Sequence, residues 1–252
     1  MTKNTNVIAA LLLATLALIW GSSFILIKRG LVVFSAGEVG ALRIVSASVF
    51  LIPVAIRGFS SVERKYWKYL LAVGFFGSLL PSFLFATAQT EISSSVAGIL
   101  NALTPLFTMI IGASFFSQTF TLRTIIGLII GFMGTIILIM AGSGGDLSSI
   151  NYYALYVVLA TIFYGANLNI IKYKMPDLKA KLITSISLSL VGPVAATYLF
   201  LTTDFLFKVN EVDGSLFSLG AVVVLGVLGT AIALILFNHL VKITSPIYTS
   251  SV

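Results

Sequence analysis

Long apolar runs separated by short polar segments dominate this 252-residue sequence. About 20 apolar residues are enough for a helix to cross the hydrocarbon core of a bilayer. By that criterion the chain contains eight complete spans, at residues 7–27, 36–56, 69–89, 93–116, 122–141, 152–171, 181–202 and 216–236. The pattern therefore predicts an all-α fold, a polytopic membrane helix bundle.

A ninth apolar run begins near residue 243 and continues to residue 252. A helix that stopped in mid-bilayer would leave its last carbonyl groups without hydrogen-bond partners. We therefore expect that this sequence is truncated within the ninth helix and that the original protein had at least one more helix.

An internal repeat links the two halves of the chain at a spacing of about 144 to 152 residues. Residues 20–28 match 164–172, residues 74–78 match 226–230, and residues 92–94 resemble 243–245. The repeat unit is five spans, an odd number, so the second copy enters the membrane from the opposite side. We predict two inverted five-helix repeats, at residues 1–145 and 146–252, an architecture typical of alternating-access transporters.

Positive charge is concentrated on one side of the predicted bundle. If the N-terminus is cytoplasmic, the outer connections hold only Lys28, Arg29 and Lys208, and the inner segments hold eleven Lys and Arg residues: Lys3, Arg57, Arg64, Lys65, Lys68, Arg123, Lys172, Lys174, Lys179, Lys181 and Lys242. The positive-inside rule therefore favours a cytoplasmic N-terminus.

Composition excludes several classes of function. Hydrophobic residues make up 58% of the chain and charged residues only 9%, against about a quarter charged in soluble domains. The net charge of +7 belongs to loops and forms no basic patch, so no nucleic-acid partner is expected. With no Cys and His239 as the single His, neither a metal site nor a cofactor is expected. No Walker motif is present to couple ATP.

Two matched pairs of residues are candidates for binding a substrate. Trp20 and Ser23 lie three residues apart on the first span, and Tyr164 and Asn167 hold the equivalent places on the sixth. This spacing puts each pair on one helical face. An aromatic ring beside a polar group suits amphipathic organic solutes. The alternative is an interfacial aromatic with a polar group that bonds a neighbouring helix.

The fourth span carries Asn101 and Pro105 four residues apart. Proline frees a carbonyl group one turn back, so the two residues form either a kinked polar surface for substrate or a pair that satisfies itself. Gln89, near the end of the third span, is a weaker candidate for substrate binding.

Arg43 lies inside the second span, where a charge costs about 2.5–3.5 kcal/mol on insertion scales. Glu38 lies five residues earlier, on another side of the helix, and is a poor partner. We assign Arg43 a gating or structural role, as a structural tether or an anion-binding gate, together with Pro105 and the repeat-related glycines Gly21 and Gly165.

The sequence resembles the EamA-like members of the drug/metabolite transporter superfamily. The resemblance rests on residues 20–24 (Trp-Gly-Ser-Ser-Phe), Leu42 and Arg43, residues 103–106 (Leu-Thr-Pro-Leu), and the glycines at 127, 131 and 134. It implies a ten-helix carrier of the inner (plasma) membrane, built from two inverted halves. The sequence departs from the family pattern at Ser117 and Gln118, where an acidic residue is common.

We therefore expect a secondary, non-ATP transporter of small organic solutes, an exporter of metabolites, amino acids or drugs. A passive channel is an alternative, and a membrane-embedded enzyme a weaker one. The acids closest to the spans, Glu38 and Glu91, are peripheral, which leaves open a proton, another coupling ion or exchange. A monomer and a homodimer both fit the sequence.

Overall fold

The computed structural model describes residues 3–142 and 152–251, which form nine principal helices. They are α1 (Lys3–Gly30), α2 (Ala36–Gly58), α3 (Arg64–Glu91), α4 (Ser94–Phe116), α5 (Leu122–Gly142), α6 (Ala154–Lys174), α7 (Ala180–Leu201), α8 (Ser215–Ile243) and α9 (Pro246–Ser250). A 3-10 turn, Phe59–Ser61, follows α2, and a short helix, Phe205–Glu211, precedes α8. The predicted polytopic helical bundle is confirmed.

Seven of the described helices, all except α5 and α9, are long and apolar enough to cross a membrane. In α5 the apolar helix is Leu122–Gly134, which is shorter than the seven candidate spans and lies within the predicted fifth span. The described glycines Gly127 and Gly134 of α5 have open space where a side chain would be. Its large side chains, such as Ile126 and Ile130, are exposed, as suits a helix that faces lipid.

Local changes of helix type interrupt three of the helices. In α3, a 3-10 turn (Arg64–Tyr66) and an α-helix (Trp67–Gly74) lead into a π-helical turn (Phe75–Leu79), and the α-helix then resumes (Leu80–Glu91). The α8 helix likewise has α-helical ends, Ser215–Gly226 and Ala233–Ile243, around a π-helical turn, Val227–Ile232. In α4, two α-helices, Ser94–Asn101 and Thr104–Phe116, meet at a break.

The helix starts correct the predicted alignment of the repeat by one residue. Ser93 caps α4 by accepting a hydrogen bond from the Val96 N–H, and Ser245 caps α9 by accepting one from the Tyr248 N–H. A hydroxyl in this position marks the first turn of a helix, so Ser93 corresponds to Ser245. The offset is then 152 residues, and the same offset relates the starts of the two π-helical turns.

Helices α2 and α7 run in opposite directions. A side chain at Gly37 would overlap Tyr198, one at Gly192 would overlap Ser48, and one at Gly58 would overlap Leu182. Rising positions on α2 therefore meet falling positions on α7. Because these helices are the second of each predicted half, their opposite directions fit an inverted repeat. The boundary between the halves at residues 145 and 146 lies outside the described residues and stays a prediction.

Two clusters of buried apolar side chains hold the bundle together. One reaches the end of the bundle where α1 joins α2, with Phe34 packed on Phe205 at a ring-centroid distance of 5.4 Å. The other reaches the opposite end, at Val62 and Leu178 in the connections that follow α2 and α6. A polar cavity lies within the bundle. Its lining includes Ile27 and Phe85 of the first cluster and Phe237 of the second.

A candidate solute-binding cavity

A cavity of about 70 Å³ lies among α1, α2, α3, α4, α6, α8 and α9. Side chains from both predicted halves line it. Of the residues nominated from the sequence, the cavity brings together Trp20, Ser23, Arg43, Asn101, Tyr164 and Asn167. These six are separated by up to 147 positions in the chain, so the fold assembles the cavity from distant segments.

The first group of wall residues, which we term the tryptophan corner, consists of Trp20, Ser23, Gly229 and Phe237. The Trp20 indole N–H donates a 2.8 Å hydrogen bond to the Gly229 carbonyl oxygen, and its ring meets Phe237 edge-on with centroids 4.9 Å apart. The Ser23 hydroxyl donates to the Ile19 carbonyl oxygen at 2.8 Å. Both polar side chains of this corner therefore have hydrogen-bond partners.

The second group, the tyrosine corner, consists of Tyr164, Asn167, Gly77 and Phe85. Each member is the repeat equivalent of one in the tryptophan corner, at an offset of 144 residues for α1 and α6 or 152 for α3 and α8. The Tyr164 and Phe85 rings stack with centroids 6.0 Å apart. Each corner thus joins a helix of one predicted half to a helix of the other.

Glycine lies at the centre of both corners, where two helices approach closely. A Cβ atom at Gly77 would lie 2.6 Å from Asn167 Cγ, and one at Gly229 would lie 2.8 Å from Ser23 Oγ. Both glycines belong to the π-helical turns. Such turns depart from the regular α-helical bonding pattern and are frequent at functional sites, and here they carry the glycines onto the cavity wall.

The tyrosine corner differs from its equivalent in hydrogen bonding. Among the described residues, neither the Tyr164 hydroxyl nor the Asn167 amide makes a hydrogen bond, and Asn167 Oδ1 is buried without a partner. Burying an amide without a partner is costly, and such groups in native structures call for an explanation. The tyrosine corner, unlike the tryptophan corner, therefore holds polar groups that have no hydrogen-bond partner among the described residues.

Arg43 extends from α2 into the cavity, where its Nε donates a 2.7 Å hydrogen bond to Thr230 Oγ1. The Thr230 hydroxyl in turn donates to the Leu225 carbonyl oxygen at 3.2 Å. Tyr164 of the tyrosine corner lines the same cavity. The Arg43 side chain is therefore tethered to α8 through one nitrogen, in a cavity that it shares with the tyrosine corner.

The break in α4 places Asn101 on the cavity wall. Pro105 has no N–H to bond the Asn101 carbonyl oxygen, and the Thr104 hydroxyl donates to that oxygen instead, at 2.7 Å. The Ala102 and Leu103 N–H groups bond three residues back, which tightens the chain into a 3-10 turn. The predicted kink is present, and the proline shapes the wall without lining it.

Besides Pro105, three nominated residues do not line the cavity. Gln89 is fully buried near the end of α3, where its Oε1 accepts from the Ser94 hydroxyl at 3.1 Å. Gly165 packs on the α4 backbone, because a Cβ there would lie 2.8 Å from the Thr108 N atom. Gly21 has no neighbouring atom within 4 Å of such a Cβ. The structure therefore gives Gly165, and not Gly21, a close-packing position.

A smaller polar pocket adjoins the cavity and shares Asn167 with it. Its lining includes Asn238, whose Nδ2 donates to Thr184 Oγ1 at 2.8 Å while its Oδ1 has no partner, and the unpartnered hydroxyl of Ser187. Sequence reasoning missed Asn238 because it lies in an apolar run without a motif. It also missed Thr230, which lies in the repeat-matched residues 226–230, because nothing in that match marked its hydroxyl as a partner for Arg43. The repeat match of Phe85 with Phe237 was the signal that could have identified the aromatic walls.

Comparison with known proteins gives consistent findings. A model of the EamA-like transporter family matches residues 7–140, more than half of the chain. A protein of Archaeoglobus fulgidus named as an uncharacterized transporter is 26% identical over 223 residues, which cover 87% of this chain and 75% of that one. A solved crystal structure superposes with a TM-score of 0.69 over 96% of this chain and 82% of the other, and at 17% identity it supports the fold alone.

Proposed function

This chain belongs to the EamA-like transporter family, and on that premise we propose that it is a secondary transporter that moves small organic solutes by alternating access. The membrane is the inner (plasma) membrane, with the N-terminus in the cytoplasm, and the direction is export. The distribution of Lys and Arg in the connections supports this orientation.

One observation carries the proposal: the polar and aromatic cavity lies between helices of both predicted halves. Its two corners each pair an aromatic residue of one half with an aromatic residue of the other. If the halves rock against each other, both corners must open or close. A site built this way supports alternating access, because movement of one half changes every wall of the site.

Flux measurements on purified protein in proteoliposomes test the proposal against a passive channel. A carrier gives solute uptake that saturates with concentration. An unlabelled analogue on the opposite side of the membrane accelerates that uptake by exchange. Flux that rises in proportion to concentration, without exchange, would establish a pore instead. The Asn167→Ala variant is expected to raise the half-saturation concentration. The Arg57→Gln variant, a substitution of an exposed residue at the end of α2, serves as a matched control.

The coupling of transport is the second part of the proposal. The described cavity wall contains no carboxylate, and Glu38 is bound to Lys208 at 2.7 Å. We therefore favour exchange of solutes over coupling to a proton carried by a membrane-embedded acid. Uptake that depends on an unlabelled solute inside the vesicle, and not on a pH gradient, is the expected result. A strict requirement for the pH gradient would establish proton coupling.

A further inference from the structure

The cavity contains one charged side chain among its described lining residues, Arg43. Only the Nε atom of this guanidinium has a hydrogen-bond partner, the Thr230 hydroxyl at 2.7 Å. The two terminal nitrogens form no hydrogen bond within the described part of the chain. A charge at this depth in a membrane protein is expensive unless it faces a cavity or finds a partner.

No acidic residue in the described ranges neutralises Arg43. Glu38, the acid on the same helix, accepts hydrogen bonds from the Lys208 ammonium group at 2.7 Å and from the Ser35 N–H at 2.7 Å. The other ion pair in these ranges joins Lys65 to Glu63 on the surface. The cavity therefore carries an uncompensated positive charge.

Neutral groups that can complete a binding site surround this charge. The Tyr164 hydroxyl lines the same cavity as Arg43 and makes no hydrogen bond among the described residues. Asn167, one turn further along α6, has a buried and unpartnered oxygen. Phe85 and Phe237 add aromatic surface. A solute that satisfied these groups together would have an anionic end, an apolar body and a polar substituent.

We propose that Arg43 binds the carboxylate group of the substrate and that this transporter carries small organic carboxylates. The inference rests on the proposed transport function and names its substrate class. Arginine presents paired N–H donors that match the two oxygens of a carboxylate. A single cation suits a monoanion better than a phosphate dianion. The Thr230 hydroxyl holds the guanidinium from its Nε side, which leaves the terminal nitrogens for the ligand.

Intrinsic fluorescence offers a direct binding assay, because the chain contains two tryptophans and one of them, Trp20, lines the cavity. The Trp67→Phe variant removes the other, which packs on Phe59. The probes are 3-phenylpropionate and its neutral amide, 3-phenylpropionamide, which share one shape. We expect the carboxylate to bind about ten-fold more tightly or better, as charge-assisted hydrogen bonds do.

Variants of Arg43 separate binding from folding. In Arg43→Gln the preference for the carboxylate should fall to about two-fold or less, and Arg43→Lys should restore part of it because the charge returns without the paired donors. Thr230→Val removes the tether but keeps the charge, so most of the preference should remain. Arg57→Gln, on the same helix and exposed, should keep it fully.

Equal affinity for the two probes in the Trp67→Phe protein would overturn the inference, even if Arg43→Gln could not be purified. A preference that survived in Arg43→Gln would overturn it as well. In both cases saturable exchange of other solutes would leave the transporter function standing. Absence of saturable flux for every solute would instead count against the transporter function itself.

Discussion

The tryptophan corner and the tyrosine corner occupy equivalent places in the repeat but differ in how their polar groups are used. In the first, the Trp20 indole bonds the Gly229 carbonyl and the Ser23 hydroxyl bonds the Ile19 carbonyl. In the second, Asn167 and the Tyr164 hydroxyl have no such bond among the described residues. The two corners share a scaffold, but only the tyrosine corner holds polar side chains without hydrogen bonds among the described residues.

On the proposed function, this difference gives the two corners different roles, one in stability and the other in binding. A satisfied corner adds to stability because its hydrogen bonds persist without a ligand, whereas an unsatisfied corner gains partners only when a solute enters. Arg43 lines the same cavity as the unsatisfied corner. The first three predictions below compare matched positions in the two corners or next to them.

The largest difference is expected for the glycines that follow the two corner aromatics. Gly165→Ala places a Cβ 2.8 Å from the Thr108 backbone and should lower the free energy of unfolding by roughly 1–3 kcal/mol. Gly21→Ala meets no atom and should be neutral or add up to about 1 kcal/mol of helix stability. Thermal unfolding in detergent measures both. Equal losses would mean that Gly21 packs as closely as Gly165.

The next difference concerns the polar residues of the corners. Asn167→Ala removes an unpaired amide from the cavity wall and should raise the half-saturation concentration for transport about ten-fold. Ser23→Ala removes a hydroxyl already bonded to its own helix and should change that concentration by about two-fold or less. Flux in proteoliposomes measures both. Similar effects from the two substitutions would show that the corners contribute equally to binding.

A smaller difference is expected between the corner aromatics. Trp20→Phe loses the 2.8 Å hydrogen bond to Gly229 and should lower the free energy of unfolding by about 1 kcal/mol. Tyr164→Phe loses a hydroxyl with no hydrogen bond in the described part, so it should leave stability unchanged and weaken substrate affinity. Paired measurements of unfolding and of half-saturation separate these effects. A stability loss in Tyr164→Phe would reveal an additional partner for its hydroxyl.

The smallest effect is expected outside both corners, at Gln89. Its Nε2 is buried without a partner, so Gln89→Leu should change the free energy of unfolding by about 1 kcal/mol at most, in either direction. The half-saturation concentration should not change, because Gln89 does not line the cavity. A clear rise in that concentration would support the role in substrate binding that the sequence suggested.

Much of the fold could be predicted because lipid imposes local rules. Each segment must satisfy its own backbone hydrogen bonds in the bilayer, so apolar runs of sufficient length become helices. The spans at residues 36–56 and 152–171, for example, match α2 and α6 closely. The aromatic and polar pairs on α1 and α6 could also be identified, because the repeat marks them in the sequence.

The hydrogen-bond partners and the burial of each candidate residue could not be predicted in the same way. Ser23 bonds a carbonyl four residues back on its own helix, whereas Arg43 bonds Thr230, 187 positions away. Gln89, nominated near the end of the third predicted span, is fully buried beside Ser94 and does not line the cavity. The one-residue error in the repeat alignment at residues 243–245 likewise became visible only through the helix caps.

The sequence by itself determined a polytopic helical membrane protein, the repeat that predicts two halves, and the residue types available to a central cavity. These follow from hydropathy, charge and repetition, which act within a single segment. The tertiary structure decided which polar groups are hydrogen-bonded and which have no partner among the described residues. That outcome depends on how closely helices distant in the chain approach, and close approach is set by glycine contacts between them, such as Gly77 on Asn167 and Gly229 on Ser23.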